Sequence, residues 1–124
     1  MADINKIAQE FTNFYYQTFD TNRAQLEALY RPTSMLTFEG TQILGVKPII
    51  EKLVNLPFQK VVHQVVTLDA QPSSTAMASL IVSVTGQLVV DDSTNPLHFS
   101  QVFQLIPEGP GYYVFNDIFR LNYG

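Results

Sequence analysis

The hydrophobic pattern of this chain changes its dominant period at Pro57, and that change restricts the available folds more than any other feature. Before Pro57, apolar residues recur mainly at the spacing of a helix face, with one short alternating stretch; after it, they alternate with the period of two that a strand requires. Over residues 3–19, Ile4, Ile7, Ala8, Phe11, Phe14, Tyr15, Thr18 and Phe19 follow the helical spacing, and Asp3 stands where an N-cap belongs. Asp20, Thr21 and Asn22 offer new capping side chains for a second, shorter helix carrying Leu26, Leu29 and Tyr30, which Pro32 stops. Residues 34–39 alternate as a strand, Gly40 ends it, and a short return runs through residues 41–44. Pro48 suits the first turn of a third helix, whose stripe is Ile49, Ile50, Leu53, Val54 and Leu56.

Four β-rich stretches follow, over residues 59–70, 76–90, 97–106 and 112–121, separated by turn-rich breaks short enough for hairpins. Helices first and long strands second predict an α+β fold: three N-terminal helices packed on a strongly bent antiparallel β-sheet. Strands this long twist and bend, and a bent sheet closed by helices encloses a conical, hydrophobic cavity.

A chain of 124 residues with 46% hydrophobic and 15% charged residues is expected to form one domain over residues 1–124. Its formal net charge of -4 repels a phosphate backbone, so nucleic acid is a poor partner and a basic protein surface a better one. There is no cysteine, hence no thiolate metal site or disulfide framework. No basic segment followed by an apolar run opens the chain, and no apolar run approaches ~18 residues, so a soluble, intracellular protein without membrane insertion is expected.

Sequence templates for catalysis and metal binding are missing: no GxSxG, HExxH, P-loop or GxGxxG occurs, and His63 and His98 have no i+4 partner. Neither a metal nor a cofactor is expected. His63 shares a strand face with Val61 and Val65, either as a structural or rim residue or as one that contacts a ligand. Alternation puts Asp117 between Phe115 and Phe119 on one face, with Ile118 on the other; burial there demands either a partner or a raised pKa. Glu39 follows Phe38 at a strand end, as a cavity rim or as a solvated end. Asp91 and Asp92 read locally as a hairpin turn or as a charged docking point. Val82, Val84, Val89, Val90, Val102, Phe103 and Leu105 are too many apolar residues for three helices to cover, which predicts a homodimer packed through the sheet.

The segments FYYQTFDTNRAQLEALY, SMLTFEG, IIEKLVNLPFQKVVHQVVTLDAQP, FSQVFQLIP and YYVFNDIFRLNYG span nearly the whole chain, and in them it resembles the nuclear transport factor 2 family in its fungal form. The resemblance implies a conical fold, a sheet-to-sheet homodimer and no catalytic activity. It implies two partners, the small GTPase Ran in its GDP form and FxFG-repeat nucleoporins, with import of Ran-GDP through the nuclear pore. Residence in cytoplasm and nucleus, concentrated at the pore and nuclear envelope, goes with that role.

Carried over residue by residue, the Ran site falls on Phe38 and Glu39 at the cavity mouth and on Asp91, with Asp92 beside it, in the hairpin after GQL. The lining falls on Leu56, Pro57, Phe58, Val61, His63, Ile118 and Phe119. A phenylalanine of Ran would enter the cavity while its lysine and arginine meet the acids. Ser93 stands where the family carries a third acid, and Ile4 stands at the aromatic position of the FxFG site. The same fold also resembles ketosteroid isomerase and scytalone dehydratase, for which Tyr15, Tyr16, His63 and Asp117 would be the catalytic candidates, and the small subunit of a messenger-RNA export heterodimer.

Overall fold

The computed structural model describes residues 3–122; residues 1, 2, 123 and 124 of the expected domain lie outside the described residues. Helix α1 (Ile4–Thr21) is capped by Asp3, whose carboxylate accepts from the Lys6 amide at 3.2 Å. It buries Ala8, Thr12, Tyr15, Tyr16, Thr18 and Phe19, while Phe14 turns out of the expected stripe and is 56% exposed. Asn22 ends α1 and starts the next element: its amide donates to the Thr18 carbonyl at 2.7 Å and its side chain accepts from the Ala24 amide at 3.2 Å. That element is a 3₁₀ helix, Arg23–Leu29, and it stops before Pro32 because Tyr30 is already extended as the first residue of strand β1 (Tyr30–Phe38). After β2 (Thr41–Leu44), helix α2 (Val46–Val54) carries Pro48 in its first turn and buries Ile49 and Leu53.

The remaining strands are β3 (Val61–Pro72), β4 (Leu80–Val90), β5 (Leu97–Glu108) and β6 (Gly111–Asn122). Strand β4 begins at Leu80, four residues later than the sequence pattern suggests, because residues 73–79 form a loop pinned by the Ser73 amide on the Ser79 carbonyl at 2.9 Å. The six strands form one sheet in the order β2-β1-β6-β5-β4-β3. The sheet is mixed: β1 runs parallel to β6 and every other neighbouring pair is antiparallel. A chain that enters the sheet early and returns at its end to the same neighbour, after a long crossover, produces such a pair.

Register breaks supply the curvature. Leu105 faces Val114 and Gln104 faces Asn116, so Phe115 is an unpaired bulge residue. Strict alternation from Phe115 to Phe119 therefore does not hold: the inward series is Val114, Asp117, Phe119, and Asp117 does not lie between two inward phenylalanines. A second shift falls between Val65 and Thr67 on β3, opposite Gly86 of β4. A Cβ on Gly86 would stand 2.2 Å from the Gln64 carbonyl oxygen and 3.1 Å from the Phe99 ring, so only glycine permits this close approach.

The helices cover the concave face. Val82, Val84, Phe103 and Leu105 are fully buried there, and Val90 lines the cavity described below. Five of the seven residues assigned to an uncovered apolar face are thus interior. The outer face carries Ile81, Val89, Val102 and Ile118 among Ser83, Thr85, Gln87, Ser100 and Gln104, an apolar streak in a polar surface. No described helix is long and apolar enough to cross a membrane.

Candidate functional site

Between α1, α2 and the bent sheet lies a cavity of about 280 Å³ with an overwhelmingly apolar lining. Phe19 of α1, Leu36 and Phe38 of β1, Leu53 of α2, Val61 and His63 of β3, Leu88 and Val90 of β4, and Phe119 and Leu121 of β6 form its walls. Leu56, Pro57 and Phe58, in the segment between α2 and β3, complete one side. Phe38 and Phe119 stack with centroids 5.0 Å apart and planes 10° apart, a pairing set by their opposition in the parallel β1·β6 ladder. The Lys52 ammonium sits 5.5 Å from the Phe38 centroid.

At the buried end lies a closed polar network. Asp117 is 1% exposed; its Oδ1 accepts from Gln101 Nε2 at 2.8 Å and its Oδ2 from the Tyr30 hydroxyl at 2.7 Å, with the Tyr15 hydroxyl 3.4 Å away. The Tyr15 and Tyr30 hydroxyls are 2.7 Å apart, and the Tyr16 hydroxyl donates to Gln101 Oε1 at 2.7 Å. Burial pushes the Asp117 pKa from 3.8 up to about 6, against the downward pull of Gln101, Tyr30 and Tyr15. Burial, reinforced by the Asp117 charge, raises Tyr15, Tyr16 and Tyr30 well above their ordinary values. Asp117 is therefore both a cavity acid and a paired one.

His63 is a structural residue that also forms part of the cavity wall. Its ring lines the cavity and stacks on Tyr16 at 4.6 Å, while Nδ1 lies 2.6 Å from Asp20 Oδ1 and the His63 amide donates to Asp20 Oδ2 at 2.9 Å. The last turn of α1 is thereby fastened to the first residues of β3.

The expected rim acids sit in tight turns. Glu39, Asp91 and Asp92 adopt positive φ of 50°, 47° and 61°. Non-glycine residues rarely visit this region, where aspartate and asparagine are enriched and glutamate is not. Glu39 accepts from the Leu121 amide. Asp91 Oδ1 accepts from the Gln59 and Lys60 amides at 3.0 and 2.9 Å, and these bonds lower its pKa, with the positive charges of Arg23 and Lys60 adding to them. Asp92 lies 3.7 Å from the Lys60 ammonium, both side chains being exposed. The turn is thus both structural and charged.

Two residues fall away from this assembly. Ile118 is 52% exposed on the outer face of the sheet and does not line the cavity, since its neighbours Asp117 and Phe119 point inward. Ile4, half-buried in the first turn of α1, packs against the core and is not among the lining residues. Arg23 is the residue that sequence reasoning misses. Its guanidinium lies 5.2 Å from the Phe58 ring centroid and 5.9 Å from that of Phe19, and Nη2 donates to the Phe58 carbonyl at 2.9 Å. No local motif marks it, because Phe58 is 35 residues away. Among the described residues there is no cluster of three or more metal-ligating side chains.

A family model for the nuclear transport factor 2 domain matches residues 7–121. The chain is 61% identical over 121 residues to nuclear transport factor 2 of Saccharomyces cerevisiae, covering 98% of this chain and 96% of that one. With the Schizosaccharomyces pombe protein of the same name it shares 57% identity over 124 residues, all of both chains. The solved structure of nuclear transport factor 2 from Cryptosporidium parvum superposes with a TM-score of 0.87 at 46% identity, covering 98% of this chain and 100% of that one. A chain of a yeast deubiquitinase and cofactor complex reaches the same TM-score at 21% identity, covering 99% and 100%, a likeness of fold alone.

Proposed function

The chain belongs to the nuclear transport factor 2 family, and from that premise we propose a non-enzymatic carrier that binds Ran in its GDP form and FxFG nucleoporins, importing Ran-GDP. A role in nuclear transport is the common ground of its close relatives; the two partners are the finer reading. The observation that carries it is the apolar cavity beside a turn of acids: Phe38, Leu56, Pro57, Phe58, Val61, His63 and Phe119 line the hole, Glu39 directly follows Phe38, and Asp91 and Asp92 follow Val90 of the lining. Such a site suits an apolar side chain flanked by basic ones.

Burying one phenylalanine removes roughly 150 to 250 Å² from water, a gross gain of roughly 4 to 6 kcal/mol at about 25 cal/mol per Å². Lost translational and rotational freedom offsets much of it, and the acids steer a basic partner into register. Both Asp117 oxygens already accept protein donors, which supports a carrier over an isomerase-type or dehydratase-type catalyst needing a free base. The sequence departures keep their meaning: Ser93, exposed in the same turn, supplies no charge, and Ile4 offers apolar contact to an FxFG repeat without a stacking ring.

The carrier reading is tested by titration calorimetry with Ran-GDP and Ran-GTP. Ran-GDP should bind with an affinity that falls as salt rises. Glu39→Lys should abolish that binding while circular dichroism and sedimentation stay unchanged. Undiminished affinity in the variant would remove Glu39 from the site.

A further inference from the structure

The segment from Pro57 to Lys60 has no helix or strand of its own, yet it supplies part of the cavity wall and leads into β3. A backbone stretch outside regular structure must find partners for its amides and carbonyls elsewhere. Here they come from two separate elements. From the 3₁₀ helix, Arg23 donates Nη2 to the Phe58 carbonyl at 2.9 Å and lays its guanidinium on the Phe58 ring. From the β4–β5 turn, Asp91 Oδ1 takes the Gln59 and Lys60 amides, while the Asp91 amide donates to the Lys60 carbonyl at 2.9 Å. The positive φ of Asp91 belongs to the turn that makes this geometry. Three consecutive residues are thus tied to two elements that do not adjoin them in sequence.

We propose that Arg23 and Asp91 are positioning residues that clamp the 57–60 segment and hold the Phe58 wall of the cavity in its docking shape. Asp91 then supports the partner through the cavity it shapes and not only through its charge. Asp92, one residue on, reaches only the Lys60 ammonium among the described residues and adds charge without clamping. The proposal rests on the carrier reading for its partner, but the clamp itself is a property of this chain.

The two roles predict opposite signs at Arg23. If the rim acted by charge alone, removing a cation near Asp91 would strengthen binding to a basic partner. If Arg23 clamps, its removal weakens that binding. The test uses full-length Arg23→Gln, Asp91→Asn and Asp91→Ala, with Asp92→Ala as a control that places the same residue at a neighbouring positive-φ position.

Amide exchange at Gln59 and Lys60 and the NMR shifts of the Phe58 ring report on the wall without any partner; calorimetry with Ran-GDP reports on docking. In Asp91→Ala both amides should exchange about tenfold faster, the Phe58 signals should move, and Ran-GDP should bind about tenfold more weakly. Asp91→Asn keeps a side-chain oxygen for the two amides and should lose less than about threefold in affinity. Arg23→Gln should shift Phe58 and weaken Ran-GDP, and Asp92→Ala should leave the Gln59 and Lys60 amides as they were. Equal losses of affinity in Asp91→Asn and Asp91→Ala, unchanged exchange and Phe58 signals in Asp91→Ala, or tighter binding in Arg23→Gln would each overturn the clamp. Should the unaltered protein fail to bind Ran-GDP, the carrier reading falls, and the exchange and Phe58 measurements still decide the clamp.

Discussion

Among single residues, Asp117 couples the core most directly to solution conditions. Its pKa is 3.8 when unperturbed and about 6 when buried in the folded chain. Between those values the folded state binds more protons than the unfolded one, so this group makes stability fall as pH rises from 3.8 to about 6, with no further change above. Asp117→Asn removes the titration, and its stability curve from thermal melts should lie flat relative to that of the unaltered protein across this window. Parallel curves would show that the carboxyl does not titrate as placed. Period reading was right that a buried acid needs partners, but it could not name Tyr30 and Gln101, which stand 87 and 16 residues away. Arg23 was illegible for the same reason: its value lies in a carbonyl it meets only after folding.

At the scale of elements, the sequence pattern carries α1, α2 and the long strands well, because each has a one-sided apolar face of regular period. It loses accuracy where one extra residue enters a strand. The Phe115 bulge shifts the phase of β6, which is why alternation alone groups Phe115 with Asp117. Ile118, beyond the bulge, follows plain alternation with Asp117 and Phe119 and so faces away from the cavity to which family resemblance assigned it. The parallel partnership of β1 and β6 has no local signature at all. Gly86 is the position at which an element-level prediction is sharpest. Gly86→Ala sets a methyl against the Gln64 carbonyl at the β3 irregularity, and the strands must separate or straighten. A loss of about 3 kcal/mol in denaturant unfolding is expected, at the upper end for overpacking. A loss below about 1 kcal/mol would mean that the bend is soft.

For the whole molecule, the outer sheet face carries the apolar residues that the helices leave exposed. Val102 lies opposite Ile118, and Ile81 is 37% exposed on the adjoining strand. We propose this streak as the homodimer contact, in place of the larger set of residues that the structure buries. Ile118→Arg should shift the sedimenting species from dimer to monomer without altering the helix and strand content. A variant that stays dimeric would move the contact to another surface.

The strand order has a consequence for how the molecule comes into being. β6, the last described strand, lies third in the sheet, between β1 and β5. Until it is made, the early half of the chain and the β3–β5 meander share no strand pairing, and each presents an open edge to its surroundings. The Tyr30 hydroxyl likewise waits for a carboxylate 87 residues downstream. During synthesis the two halves of the sheet therefore stay without a shared strand pairing until β6 is made, the Asp20–His63 contacts of α1 with β3 being available to hold them together before then, and the cavity gains its Phe119 and Leu121 wall only with that strand.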